Sequence, residues 1–86
     1  MAEVIIYSRD FCPFCTRAKA LFERLGQSYT EINIQRDQAQ EATMLERSGG
    51  RKSVPQIFIN ETHVGGCDDL FALHAAGRLK PMLETL

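Results

Sequence analysis

The sequence predicts an α/β fold in which a four-stranded mixed sheet is flanked by helices. Short stretches rich in Val, Ile and Phe alternate with longer stretches whose apolar residues recur at helical spacing. The predicted order is βαβ followed by αββα, so a helical crossover between two strands precedes a hairpin and further helices. A chain of 86 residues without repeats or linkers suits one domain, which we assign to residues 1–86.

The first half of the chain predicts the βαβ unit. A strand is expected over residues 3–7 and a second over residues 28–34. Between them a helix begins at Pro13, whose missing N–H is harmless in a first helical turn, and ends at Gly26. Its apolar face repeats at i, i+3, i+4 and i+7 and consists of Ala18, Leu21, Phe22 and Leu25.

The second half predicts a helix, a hairpin and two further helical pieces. Asp37 is a predicted N-cap for a helix through Arg47, with Ala42 and Leu45 facing the core. The remaining predicted elements are a strand over Gln56–Ile59, a turn at Asn60-Glu61, a strand over 62–64, a helix over 68–76 and a helical piece over 79–86.

Composition and charge exclude several classes of protein. Apolar residues make up 44% of the chain and charged residues 24%, as in soluble globular proteins. The net charge of -1 argues against nucleic acid or an anionic membrane as a partner, because both call for a basic excess. No segment resembles a signal peptide or approaches the roughly 20 apolar residues of a membrane helix. We therefore expect a soluble, cytoplasmic monomer.

The cysteines indicate redox chemistry. Cys12, Cys15 and Cys67 are an odd number, which does not fit a fully paired disulfide scaffold. Cys12 is expected at the cap of the first helix, where the free N–H groups of Phe14 and Cys15 and the positive helix end stabilise a sulfur anion. Cys15 is one turn deeper and can attack a mixed disulfide on Cys12. We assign Cys12 as the nucleophile and Cys15 as the resolving thiol.

A Cys-x-x-Cys pair also occurs as half of a zinc site. Such a site needs two more ligands, and the candidates are Cys67, His63 and His74. Pro13 stiffens the cysteine pair at a helix start, which favours redox chemistry over metal coordination. A motif directly after a strand and opening a helix is typical of redox proteins, so we expect no bound metal.

Two further residues, Arg9 and Cys67, have two interpretations each. Arg9, just before the motif, either adds positive charge near the thiolate or is a solvated loop charge. Cys67 is either a third redox thiol or, as we favour, a packed small residue. Asp69 is interpreted as a helix cap.

Three motifs occur in a fixed order along the chain: Cys12-Pro13-Phe14-Cys15, Ser53-Val54-Pro55-Gln56-Ile57-Phe58-Ile59 and Gly65-Gly66-Cys67-Asp68-Asp69-Leu70. Together they resemble the glutaredoxin family, most closely its short bacterial dithiol kind, and the likeness covers nearly the whole chain. The resemblance implies a thioredoxin-like fold and a thiol-disulfide oxidoreductase that takes electrons from glutathione, with no tightly bound cofactor. The implied partners are glutathione, glutathionylated or disulfide-containing proteins, and ribonucleotide reductase.

The resemblance also implies a glutathione site beside the cysteines. Pro55 would be a cis proline, and the backbone of Val54 would pair with the cysteinyl unit of glutathione. Ser53 precedes them in the same binding segment. Phe14 stands where many members of this kind have tyrosine, so the aromatic surface remains while the hydroxyl is lost.

The third motif would hold the γ-glutamyl end of glutathione. Backbone N–H groups at Cys67 and Asp68 would take its carboxylate, and the Asp68 side chain its ammonium. Gly65 and Gly66 would let the backbone approach the ligand closely. The candidates for binding the glycyl carboxylate are Arg9, Arg51, Lys52 and Gln56.

Two other functions stay open. A near relative is an electron donor to ribonucleotide reductase that is fed by thioredoxin reductase, and it would lack the segment from Gly65 to Asp68. An iron-sulfur carrier would bind a bridged cluster between two subunits through Cys12 and glutathione. Pro13 counts against the carrier, since members with that role usually have a smaller residue there.

Overall fold

A four-stranded mixed sheet forms the centre of the computed structural model, which describes residues 2–84. The elements are β1 (Val4–Ser8), α1 (Pro13–Arg24), β2 (Thr30–Asn33), α2 (Gln38–Arg47), β3 (Gln56–Ile59), β4 (Thr62–Gly65), α3 (Cys67–Ala75) and α4 (Leu79–Glu84). The strand order is β2-β1-β3-β4, with β1 parallel to β2 and the other neighbours antiparallel. The predicted sheet is confirmed, with boundaries shifted by a few residues. The predicted helical positions Thr85 and Leu86 lie outside the described residues.

Alternating side chains of β1 and β3 build a core on each face of the sheet. One core contains residues of α1, α3 and α4 packed on the strands: Val4, Ile6, Ala18, Leu21, Phe22, Ile57, Ile59, Leu70, Leu79 and Leu83. The other core contains Tyr7 of β1, Phe58 of β3, Met44 of α2 and Ile34, which directly follows β2. Each fully buried apolar side chain of this size contributes about 1.5–3 kcal/mol relative to exposure. The two cores hold the ends of β1 and β3 rigidly, and both ends lead into the candidate site.

The prediction that Ala42 and Leu45 of α2 face the core was wrong. Met44 is fully buried, whereas Leu45 is half-buried and Ala42 is exposed. At about 100° per residue, Ala42 lies on nearly the opposite side of the helix from Met44. Met44 and Ser48, one turn apart, are both buried against the sheet. Met44 is the buried apolar side chain that anchors this helix. With one such residue, the spacing of apolar residues in the sequence does not indicate which face of the helix packs on the sheet.

At the end of α1 the predicted stop at Gly26 is confirmed, since Gly26 follows the C-cap with a φ of +70°, whereas the predicted place of Leu25 on the buried face was wrong. The helix ends at Arg24, and Leu25 is the C-cap with 38% of its surface exposed. Ala18, Leu21 and Phe22 form the buried face as predicted. In the described part of the chain, no helix combines the length and the hydropathy needed to cross a membrane.

Candidate active site

Cys12 is the N-cap of α1, directly after the loop that follows β1. Its backbone is extended, and its Sγ accepts the Cys15 N–H at 3.2 Å. The same sulfur lies 3.9 Å from the carbonyl oxygen of Val54. Pro13 occupies the first turn of the helix. This half-buried sulfur therefore lies in the positive field of a helix N-terminus and can still be reached from solvent.

Cys15 lies in a different environment, although only two residues separate it from Cys12. It is 1% exposed. Burial, followed by its interaction with Cys12, raises the pKa of the Cys15 thiol to about 12. Cys15 is therefore a protonated thiol at neutral pH, and Cys12, Cys15 and Cys67 are all free. The geometry supports the assignment of Cys12 as the attacking sulfur and Cys15 as the resolving one.

We expect iodoacetamide to modify the native protein once per chain near neutral pH, at Cys12. Cys67 is 5% exposed and burial raises the pKa of its thiol, so it shares the protection of Cys15. Mass spectrometry of the digested protein locates the adduct. The same treatment in denaturant should modify all three cysteines and serves as the control. Comparable modification of Cys15 in the native protein would contradict the assignment.

A cleft of about 330 Å³ opens beside Cys12, because one of its lining residues is Val54, whose carbonyl oxygen lies 3.9 Å from Cys12 Sγ. Phe14, Ser53, Val54, Pro55, Cys67 and Asp68, all expected to bind glutathione, line it together with Arg51, Gly66 and Asp69. The Val54–Pro55 peptide bond is cis, as the resemblance implies. Three segments that are distant in the sequence, namely the start of α1, the loop before β3 and the start of α3, thus meet at one site.

The start of α3 forms one wall of this cleft. Gly66 is the N-cap, and its N–H donates to Asp69 Oδ2 at 2.9 Å, which confirms Asp69 as the cap side chain. Arg51 Nη1 lies 3.4 Å from the same oxygen. The Asp68 carboxylate is exposed, and within residues 2–84 it has no hydrogen bond or ion pair. The wall therefore combines an unpaired carboxylate with the N–H groups of a first helical turn.

Gly65 is required by the fold itself. Its φ is +116°, and a Cβ at this position would lie 2.3 Å from Asp69 Oδ2. At Gly66 the nearest atom to an added Cβ is the Pro55 carbonyl oxygen at 3.5 Å, an ordinary contact. The carboxylate that caps α3 folds back over Gly65, so a side chain there would displace the cap.

Gly65→Ala is expected to destabilise the protein more than Gly49→Ala. Gly49 shares a positive φ, +73°, but an added Cβ there meets nothing within 4 Å. Gly49→Ala carries the left-handed backbone cost of about 1–2 kcal/mol, and Gly65→Ala carries at least as much, because a φ of +116° lies beyond the left-handed helical region. Gly65→Ala should lose about 0.5–2 kcal/mol more through the displaced Asp69 cap. Urea unfolding measures both free energies, and equal losses would contradict the role given to Asp69.

Three of the four candidates for the glycyl carboxylate are not among the residues that line the cleft, and Lys52, one of them, is exposed outside it. Arg9 Nη2 lies 3.8 Å from Glu41 Oε2, with both side chains partly exposed; its expected role near the thiolate stays a prediction. Gln56 is fully buried, and its amide is hydrogen-bonded inside the protein. Arg51 lines the cleft, which makes it the best-placed of the candidates. Its pairing with Asp69 was not predicted, because no sequence pattern relates the α2–β3 loop to α3.

The zinc alternative receives no support from the described residues. Between residues 2 and 84, no group of three or more His, Cys, Asp or Glu side chains is arranged to hold a metal ion. His74 is exposed on α3, and His63 is bonded to Gln56.

A thiol-disulfide oxidoreductase of the thioredoxin fold is the class that this fold and cysteine pair define. Residues 4–64 match the family model for glutaredoxin. The chain is 51% identical over 84 residues to Glutaredoxin 3 of Escherichia coli K12, covering 98% of this chain and 100% of that one. The protein therefore belongs to the glutaredoxin family.

Solved glutaredoxins share the fold over nearly the whole chain. The solution structure of glutaredoxin from Brucella melitensis is 52% identical, with a TM-score of 0.85 over 99% of this chain and 91% of that one. The crystal structure of a buckwheat glutaredoxin–glutathione complex is 36% identical, with a TM-score of 0.85 over 93% and 74% of the respective chains. The family confirms the thioredoxin-like fold and the thiol oxidoreductase class.

Proposed function

We propose that this protein reduces disulfides with electrons from glutathione, and in particular mixed disulfides between glutathione and a protein or small thiol. The observation that carries the proposal is the cleft beside Cys12, where the exposed Asp68 carboxylate lies at the start of α3. The buckwheat relative in complex with glutathione adds support. Glutathione is proposed as a co-substrate, with no tightly bound cofactor, for a cytoplasmic monomer.

The chemistry of the cleft complements glutathione, which carries two carboxylates and one ammonium. Asp68 supplies a carboxylate for the ammonium, and the N–H groups at the start of α3 supply donors for the γ-glutamyl carboxylate. Arg51 lines the same cleft and can bind the glycyl carboxylate. The backbone of Val54, whose carbonyl faces Cys12 Sγ, is placed to pair with the cysteinyl unit in the manner of an added strand.

In the proposed reaction, the Cys12 thiolate attacks the glutathione sulfur of a mixed disulfide. A bond forms between Cys12 and glutathione, the original S–S bond breaks, and the partner leaves as a thiolate that takes a proton from solvent. The thiolate of a second glutathione then attacks the bound glutathione sulfur. This step releases oxidised glutathione and restores Cys12.

Protein disulfides require the second cysteine. After Cys12 forms a mixed disulfide with the substrate protein, Cys15 gives up its proton and attacks Cys12 Sγ, and the substrate leaves with both sulfurs reduced. Two glutathione molecules then reduce the Cys12–Cys15 disulfide and become oxidised glutathione. Disulfide-containing proteins, including ribonucleotide reductase, are the proposed substrates of this branch.

Turnover of a glutathione mixed disulfide tests the proposal. Activity should be sustained by glutathione with glutathione reductase and NADPH, and not by thioredoxin reductase with NADPH. The reverse preference would favour the alternative electron donor. The freshly purified protein should be colourless, and visible absorption that disappears on acidification would favour the iron-sulfur carrier.

A further inference from the structure

Val54 and Pro55 form one wall of the cleft, and a buried side-chain amide anchors the residue that precedes them. Gln56, the first residue of β3, is fully buried. Its Nε2 donates to the Ser53 carbonyl oxygen at 2.9 Å and lies 3.2 Å from the Ser53 hydroxyl. Because Ser53 directly precedes the Val54–Pro55 segment, the orientation of this amide determines where that segment is anchored.

His63 holds the other side of the same amide. Its Nε2 lies 2.7 Å from Gln56 Oε1. If the amide were turned over, Gln56 Oε1 would face the Ser53 carbonyl, and two acceptors would oppose each other. The Gln56 oxygen therefore faces His63, and Nε2 of His63 must carry the proton. Burial, followed by the charge of Arg51, lowers the pKa of His63, so at neutral pH this is its single ring proton.

The imidazole is itself fixed by a stack of side chains from three elements. It stacks on Phe58 of β3, with ring centroids 4.9 Å apart and an interplanar angle of 29°. The Arg47 guanidinium of α2 lies 4.3 Å from the centroid of the Phe58 ring. Arg47 Nη1 in turn donates to the Tyr7 hydroxyl of β1 at 3.1 Å. The contacts run from the interior of the sheet to Ser53 at the edge of the cleft.

We propose that His63 is a positioning residue for the glutathione cleft. Its Nε2–H orients the Gln56 amide, which anchors Ser53 and thereby places the backbone of Val54 against the substrate. The inference rests on the proposed function, because it assigns a role in binding the glutathione part of the substrate. His63 is not among the residues that line the cleft, so its expected effect is on binding and not on the reactivity of the sulfur.

His63→Leu should raise KM for a glutathione mixed disulfide about five- to tenfold, the effect of leaving one buried acceptor without its donor. Both kcat and the rate of Cys12 alkylation by iodoacetamide should stay within about twofold of the wild-type values. His63→Gln, which keeps an N–H donor at similar reach, should recover most of the KM. His74→Leu, at an exposed histidine of α3, is the matched control and should leave KM unchanged.

Three kinetic results would overturn the inference. The first is an unchanged KM in His63→Leu. The second is a fall of both kcat and the Cys12 alkylation rate in His63→Leu that accompanies the rise in KM. The third is a KM in His63→Gln that is raised as much as in His63→Leu. An inactive wild type would instead overturn the proposed function. If His63→Leu fails to fold, ¹⁵N NMR of the wild-type imidazole decides. The Nε2–H tautomer supports the role, and the Nδ1–H tautomer removes it.

Discussion

Cys12→Ser is expected to abolish the reduction of every disulfide substrate, whereas Cys15→Ser should keep deglutathionylation. Cys12 carries the sulfur at the helix N-terminus and beside the cleft, so every reaction begins there. Cys15 is needed only when a second glutathione cannot release the partner. In Cys15→Ser the side reaction that forms the Cys12–Cys15 disulfide cannot occur. Deglutathionylation should therefore proceed at an equal or increased rate. Reduction of protein disulfides should be lost in both variants.

Mass spectrometry gives a second measurement of the same prediction. Cys15→Ser should accumulate one glutathione on Cys12, and a thiol reductant should remove it. A Cys15→Ser variant without deglutathionylation activity would contradict the mechanism, as would an adduct on Cys67. Burial of Cys67 is the reason to expect no adduct there.

Asp68→Ala is expected to lower kcat/KM for glutathione mixed disulfides by about 5- to 150-fold, the equivalent of about 1–3 kcal/mol for a charge-assisted hydrogen bond. The exposed Asp68 carboxylate at the start of α3 is the group proposed to bind the γ-glutamyl ammonium. The loss should be much smaller for a disulfide that contains no glutathione. Because the carboxylate is exposed, added salt should reduce the difference between the variant and the wild type.

Glu46→Ala provides a matched control for Asp68→Ala. Glu46 is an exposed acidic residue of α2 outside the cleft, and its removal changes the net charge by the same amount. It should leave the preference for glutathione mixed disulfides unchanged. If Asp68→Ala lost activity equally on both classes of substrate, the mutation would have acted on the fold or on the thiolate, and the proposed contact would be wrong.

The features predicted correctly from the sequence are those governed by neighbouring residues. The apolar spacing of α1, Pro13 in its first turn and Asp37 as the cap of α2 each depend on contacts within about four residues. The position of Cys12 at the start of a helix follows from the same local signals. The cis bond before Pro55 and the site on α3 came from the three motifs and their resemblance to a family, since no local pattern indicates either one.

Features that depend on side-chain contacts between elements were missed or left open. Gln56 was a candidate for the glycyl carboxylate because amides bind carboxylates, yet it is buried and anchors Ser53. Gly65 was expected to let the backbone approach the ligand, which stays a prediction; that the Asp69 carboxylate occupies the space a side chain at Gly65 would need was not foreseen. In both cases the deciding contact joins two elements, β3 with β4 for Gln56 and His63 and the end of β4 with α3 for Gly65 and Asp69, so it depends on how the chain turns between them.

The local order of apolar residues, prolines and caps was enough to determine the strands, the helices and the placement of Cys12 at a helix N-terminus. The tertiary structure alone decided which groups face the cleft. It buried Cys15, turned Gln56 inward toward His63, paired Arg51 with Asp69 and, among residues 2–84, left Asp68 without an ion pair. Hydrogen bonds and ion pairs between segments depend on distances of a few ångströms, and only the packing of β3 and α3 against the rest of the sheet sets those distances.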